Sequence, residues 1–303
     1  MNSSTFSFKR SLFATVATLL ILLGVALGSV ELHLRRQAAE NVGADIYRQR
    51  VLQGTAPWAA IGDSHVANGL VTTEWLDNLG QASDNLDSML GKLAIRKGRP
   101  GLKGVIIPAD AQMFAFYRLT ADQGKRLSDL REEHLSPILL LRPEHRQYLV
   151  STVFAIASDP GVLWRAPGGN VNSEGVPMPD TPKWDKDAAL RAQLHTPVRE
   201  MYTLQQALRY RKMVEELKSQ NIEVCMVAYP LSSAYRRAAE GVPTFAETHN
   251  FYAAVAAETG ARFVDATRAF PDKLFGDPDH LSKQGAAELT DRLQRECATG
   301  VRK

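Results

Sequence analysis

Cysteine is scarce in this chain: there are two in 303 residues, Cys225 within an apolar run and Cys297 near the end. Neither has the paired spacing of a zinc or redox motif, and both read as bystanders rather than as the halves of a disulfide. A strong charge of either sign is missing as well. The 36 Lys and Arg nearly balance the 33 Asp and Glu, for a net charge of +3, and they are interspersed, which excludes the concentrated basic stripe of a nucleic-acid binder. No internal repeat or heptad pattern is present, so solenoids and coiled coils are excluded too. His134, His145, His195 and His249 lack ligand spacing and read as surface or loop histidines, so no metal or other cofactor is implied. What remains is an ordinary globular composition. With 45% hydrophobic residues, the chain is long enough to bury a full core and suits one large α/β domain better than two.

The N-terminus departs from this picture. Ser11 to Val30 is an uncharged apolar run of about the length needed to cross a bilayer core. Lys9 and Arg10 precede it and favour a cytoplasmic start by the positive-inside tendency, although Arg35 and Arg36 weaken the asymmetry. Ala26 and Gly28 form a small-x-small pattern, so a cleaved signal peptide is the alternative; the run is long for a signal core, which favours an uncleaved anchor. Residues 31–56 read as a polar helical linker that Gly54 and Pro57 bring to an end.

From residue 57 onward, short apolar runs alternate with helix-like stretches. Trp58–Ile61 and Val105–Ile107 are broken by Gly62 and Pro108. Ile222–Tyr229 follows the helical pattern of Leu204–Ser219, and Arg262–Asp265 follows that of Phe251–Thr259. Such alternation predicts a mostly parallel sheet covered on both faces by helices, with functional groups at the carboxyl ends of the strands. Residues 117–158 read as a helical cap, and residues 166–197, rich in Pro and Gly, as a long loop insertion flanked by Trp164 and Trp184. Those two rings suit either packing of the loop or stacking on a sugar.

Two segments carry chemistry. Ala60-Ile61-Gly62-Asp63-Ser64-His65 runs from an apolar strand through Gly-Asp-Ser into a helix, which would expose the Ser64 hydroxyl above the sheet. Three small polar residues there are also an ordinary helix cap. The second segment, Gly276-Asp277-Pro278-Asp279-His280-Leu281-Ser282, precedes a helix over 283–297. A serine hydroxyl needs a base, and the base needs an acid that fixes its tautomer, so Asp-x-x-His supplies both partners from one turn. Ser64 as nucleophile, His280 as base and Asp277 as orienting acid form the candidate triad. Asp279 is expected to cap the following helix or face solvent, and His65 to be structural or to touch substrate.

Gly62-Asp63-Ser64 near the start and Asp277-Pro278-Asp279-His280-Leu281 near the end resemble the first and last blocks of the SGNH/GDSL hydrolases. That resemblance implies a flavodoxin-like three-layer α/β/α sandwich and hydrolysis or transfer of an ester-linked acyl group. It assigns the second-block amide donor to Gly80 or Ser83, in Asn78-Leu79-Gly80-Gln81-Ala82-Ser83. The third block departs from the family's Gly-x-Asn-Asp: Pro108-Ala109-Asp110-Ala111-Gln112 has no Asn. Gln112 offers an amide as oxyanion donor, and Asp110 suits substrate or a backbone amide better than an oxyanion. An anchor together with a degenerate third block is similar to the D-alanyl transfer proteins and the alginate-type O-acetyltransferases of bacterial envelopes. The likeness implies a single-pass inner-membrane protein whose domain lies in the periplasm and moves an acyl group from a donor to a carbohydrate polymer, beside a membrane-bound O-acyltransferase partner. A periplasmic esterase or deacetylase, and a non-catalytic assembly subunit that binds acyl or glycan groups, are the alternatives.

Overall fold

The computed structural model describes residues 3–40, 51–119, 182–199 and 201–299. Helix α1 (Ser3–Glu40) belongs to one compact unit, and the α/β domain to another. Within α1, Leu12–Leu32 is long and apolar enough to cross a membrane, with mean hydropathy 2.3, and large side chains such as Phe13, Leu20 and Ile21 are exposed along it. A signal sequence would have the same features. The helix continues through Arg35 and Arg36 to Glu40; residues 41–50 of the expected linker lie outside the described residues.

The domain is built on a five-stranded, all-parallel sheet in the order β2-β1-β3-β4-β5, formed by β1 (Trp58–Ala60), β2 (Leu76–Asn78), β3 (Gly104–Pro108), β4 (Glu223–Ala228) and β5 (Arg262–Asp265). Between and after these strands come α2 (Ser64–Gly69), α3 (Leu86–Lys97), the single turn α4 (Phe116–Leu119), α5 (Pro182–Leu194), α6 (Met201–Ser219), α7 (Ser233–Ala239), α8 (Pro243–Thr259) and α9 (Lys283–Glu296). A short antiparallel hairpin, β6 (Phe275–Asp277) and β7 (His280–Leu281), precedes α9.

Successive strand side chains point to opposite faces, and the core divides accordingly. Trp58, Ala60, Ile106, Cys225 and Val227 pack with Val66 of α2, Trp184 of α5, Tyr235 of α7 and Leu289 and Leu293 of α9. Ala59, Val105, Ile107, Val224 and Met226 pack with Met89 of α3, Val214 of α6 and Tyr252 and Val255 of α8. Three layers result, with the sheet buried on both sides. In α9 the buried positions Ala286, Leu289, Thr290 and Leu293 fall on one helical stripe, and the Ser282 hydroxyl caps its start by accepting from Gly285 N at 3.3 Å.

Two sequence expectations need correction here. Cys225 and Cys297 are joined by a disulfide across 72 residues, linking β4 to the end of α9. Both cysteines face the same side of the sheet, so folding rather than sequence spacing brings them together. Residues 182–194, expected inside a long loop, form α5. Pro182 is its first residue, where the missing N–H costs nothing, and Trp184, Ala188 and Ala192 bury one stripe. Trp184 is 2% exposed, so packing is its role. Residues 166–181 of that expected loop, Trp164 and the expected cap beyond Leu119 lie outside the described residues.

Candidate active site

The chain visits β1, then β2 on one side, then β3 on the other, so β1 and β3 flank a reversal of strand order. In open parallel sheets, crevices form at the carboxyl ends of such strands. Ala60 pairs with Asn78 and with Ile106, which aligns the ends of β2, β1 and β3. Ser64 follows β1, Gly80 follows β2 and Asp110 follows β3.

Gly62 makes the β1–α2 turn tight enough. A Cβ there would lie 2.4 Å from Val66 Cγ2 and 2.8 Å from the Pro108 ring. Close packing, not an unusual backbone angle, is what requires glycine at this position. Asp63 then caps α2 by accepting from His65 N at 2.9 Å, leaving Ser64 half-buried at the helix start.

The hairpin brings the other two groups. His280 Nε2 lies 2.9 Å from Ser64 Oγ, and His280 Nδ1 lies 2.8 Å from Asp277 Oδ2. Asp277 is held by more than the imidazole, because its Oδ1 accepts from Asp279 N at 3.0 Å and His280 N at 2.8 Å. Acid and base are therefore locked into one turn. The three residues that the sequence pairs across its two ends meet in hydrogen-bonding order, the geometry in which a base can take a serine proton.

Behind Ser64 lies a buried polar network that the sequence does not announce. His65 is 2% exposed and points away from the role of base. Its Nδ1 is 3.0 Å from Asp110 Oδ2 and 2.8 Å from the Gln112 side-chain amide, and its Nε2 is 3.4 Å from Asp279 Oδ2. Gln112 Nε2 also donates to Asp63 Oδ2 at 3.2 Å, the oxygen that Arg118 reaches at 2.7 Å. Burial alone would push the His65 imidazolium down, but the charge of Asp110 and the hydrogen bonds to Asp110 and Asp279 hold it well above its ordinary range. Burial raises Asp110 against the opposing charge of His65. Asp63 is lowered despite its burial, because Arg118 and His65 face it.

Several expected roles change. Gln112 spends its amide on this network, not on a serine oxyanion, because Asp63, His65 and Asp110 crowd around it. Asp110 is likewise committed, to His65 and to Tyr229 N at 2.8 Å. Gly80 N donates to Asn78 Oδ1 at 3.0 Å, while the absence of its side chain lets the backbone pack against Val66 and Ala67. Ser83 lies in the next turn with φ 67°. Asp279 neither caps α9 nor faces solvent. It is 2% exposed, and burial alone would raise it, but His280 and His65 hold it well below the usual carboxylate range. His195 is also no surface histidine. It is 4% exposed, its Nδ1 sits 3.0 Å from the Tyr235 hydroxyl, and burial pushes its pKa down to about 3. His249 stays partly exposed, 3.7 Å from Asp265; His134 and His145 lie outside the described residues.

Three groups of side chains have the donor chemistry for a cation: His65, His195 and Asp279; Asp63, His65 and Asp110; and Asp277, Asp279 and His280. Residues 65, 195 and 279 are too far apart in sequence for a ligand-spacing motif, and only the fold shows them together. Set against protein-family models and against curated proteins, the chain matches none.

Proposed function

We propose that this chain is a membrane-anchored, extracytoplasmic serine acyltransferase of SGNH/GDSL type that moves a small acyl group, acetyl or a close relative, onto a bacterial envelope or exported polysaccharide. The observation that carries the reading is the continuous hydrogen-bonded line from Ser64 Oγ through His280 to Asp277. In this scheme His280 Nε2 takes the Ser64 proton as Oγ attacks the acyl carbonyl. The imidazolium, steadied by Asp277, then returns the proton to the departing donor group. An acceptor hydroxyl, deprotonated by the same base, resolves the acyl-Ser64 ester and regenerates the hydroxyl.

The strand order 2-1-3-4-5 is that of flavodoxin-like sheets. The disulfide suits an oxidising compartment and hence a domain outside the cytoplasm. A cavity of about 480 Å³ opens one strand away from Ser64, and Asp110 and Gln112 line it together with Ser233, Tyr235, Arg236 and Arg268. That volume and mixture of apolar and polar groups fits a small ligand, which keeps Asp110 and Gln112 as substrate-binding candidates. With the side chain of Gln112 and the amides of Gly80 and His65 all engaged, the backbone N–H of Ser64 at the start of α2 is the oxyanion donor in this scheme. The partner that delivers the acyl group would be a membrane-bound O-acyltransferase.

The test is labelling of the full chain in detergent with a fluorophosphonate, followed by turnover of a chromogenic acetyl ester with and without oligosaccharide acceptors. Wild type should label, and Ser64→Ala and His280→Ala should not. Acceptor-dependent turnover supports transfer, and equal turnover without acceptor supports the esterase reading. A folded wild type that neither labels nor turns over supports the non-catalytic one.

A further inference from the structure

Two imidazoles and one carboxylate converge beside the candidate triad. His65, His195 and Asp279 each present a ligand atom within 4.8 Å of the other two, and all three residues are buried. His65 Nε2 stands 3.4 Å and His195 Nδ1 3.8 Å from Asp279 Oδ2. A charge-assisted N–H···O⁻ bond closes to about 2.7–2.9 Å, so neither contact is a well-made ion pair. Four ligands at about 2.0–2.2 Å around a tetrahedral cation stand about 3.3–3.6 Å apart. The observed separations are close to that spacing.

The surroundings agree. His65 Nδ1 lies 2.8 Å from the Gln112 side-chain amide and 3.0 Å from Asp110 Oδ2, and Asp110 is itself fixed by Tyr229 N; the second contact is of the carboxylate–histidine kind that orients metal-ligating imidazoles. The Tyr235 hydroxyl satisfies His195 Nδ1 at 3.0 Å and would have to yield it. Asp279 Oδ1 has no hydrogen-bond partner among the described residues, with His280 Nδ1 at 3.7 Å and Arg191 Nε at 3.8 Å. The other two clusters are already satisfied, one by Arg118 and Gln112 and the other by Ser64 and the backbone amides of the hairpin.

We propose that His65 Nε2, His195 Nδ1 and Asp279 Oδ2 form a binding site for a divalent transition-metal ion of the Zn²⁺ class, with solvent in the fourth position. Two imidazoles and one carboxylate match that class and not Mg²⁺ or Ca²⁺, which take oxygen ligands. Asp279 lies in the turn that carries His280, so the ion ties this turn to the helix end that carries Ser64 and to the segment after α5. It is a positioning element, and Ser64 is not among its ligands.

The experiment uses the untagged full chain in detergent, stripped with chelator and titrated calorimetrically with ZnCl₂. One equivalent should bind, with a Kd below about 1 µM. His195→Ala should weaken binding about a hundredfold or more, and Asp110→Asn, which removes only the backing carboxylate, about 10- to 100-fold. Co²⁺ loaded into the unmodified protein should show the intense visible bands of four-coordinate geometry, a readout that depends on no variant. Ser64→Ala should bind as wild type does, which separates this site from the acyl-transfer reading. Absence of stoichiometric binding, octahedral Co²⁺ spectra, unchanged affinity in folded His195→Ala, or loss of binding in Ser64→Ala would each overturn the assignment.

Discussion

Replacing Asp277 by Asn changes one atom and tests the acyl-transfer scheme at its most structurally defined point. Asn keeps an oxygen to accept from Asp279 N and His280 N, at 3.0 and 2.8 Å in the native turn, so the hairpin retains its shape. The second oxygen, 2.8 Å from His280 Nδ1, becomes an NH₂ donor. Nδ1 then meets a donor at its nearer contact and, at 3.0 Å, an oxygen already taken by two backbone N–H groups, which favours the tautomer with the ring proton on Nε2, where it points at Ser64 Oγ and leaves no lone pair to take the serine proton. Triads with this substitution lose roughly 10⁴ in kcat, or about 5.4 kcal/mol of barrier. Asp279 Oδ1, 3.7 Å from Nδ1, is too far to substitute fully. Rates of fluorophosphonate labelling and acetyl-ester turnover, measured beside a near-ultraviolet dichroism spectrum to confirm folding, give the answer. A folded Asp277→Asn protein that keeps more than about a tenth of wild-type activity would refute the role given to Asp277.

Other outcomes follow from features away from that hydrogen bond. Reducing the Cys225–Cys297 bond, which closes a loop of 72 residues, should lower unfolding stability by about 4 kcal/mol on the loop-entropy model, seen as a lower urea midpoint in dithiothreitol; an unchanged midpoint would show that the crosslink constrains nothing. Gly62→Ala puts a methyl 2.4 Å from Val66 Cγ2 and should cost about 1–3 kcal/mol by overpacking while also slowing Ser64 labelling; thermal melts and labelling rates check both. In chelator-treated protein, His195 has a folded pKa of about 3 against about 6.5 unfolded. The unfolded chain therefore binds the extra proton between those values, so stability is full above about pH 6.5 and falls as pH drops toward 3. His195→Gln should flatten that slope in urea titrations, and an equally steep slope in the variant would place its source elsewhere.

Local patterns in the sequence foretold much of this structure, and the misses share one cause. Apolar runs located β1, β3 and β4, because strands buried on both faces leave nearly unbroken hydrophobic stretches; the edge strand β5, where only Val264 is buried, was located by the helical pattern before it. Gly-Asp-Ser and Asp-x-x-His located Ser64, Asp277 and His280, because each motif packs its geometry into a few neighbouring residues. Strand β2 was implied only as the strand preceding Gly80, since its three residues include a buried Asp77 that blurs any apolar pattern. The Pro and Gly of the preceding segment hid α5, although Trp184, Ala188 and Ala192 recur at the spacing of one helical face. The disulfide and the cluster of His65, His195 and Asp279 leave no local trace, because their members come from distant parts of the chain. Gln112 illustrates the same limit: its amide lies within reach of the neighbouring Asp110 and of Asp63 and His65, two residues that only the fold brings to it.

The span of 216 residues between Ser64 and His280 also has a consequence in time. At synthesis rates of about 5–20 residues per second, Ser64 leaves the ribosome roughly 10–40 seconds before the hairpin and α9 are complete. During that interval its hydroxyl has no base and is as unreactive as any surface serine. A chain terminated before residue 280 would carry the whole sheet except for its closing hairpin and helix, yet could not be acylated through this array. On the acyl-transfer reading proposed above, the order of the elements thus leaves Ser64 without its base until the hairpin and α9 have been made and folded.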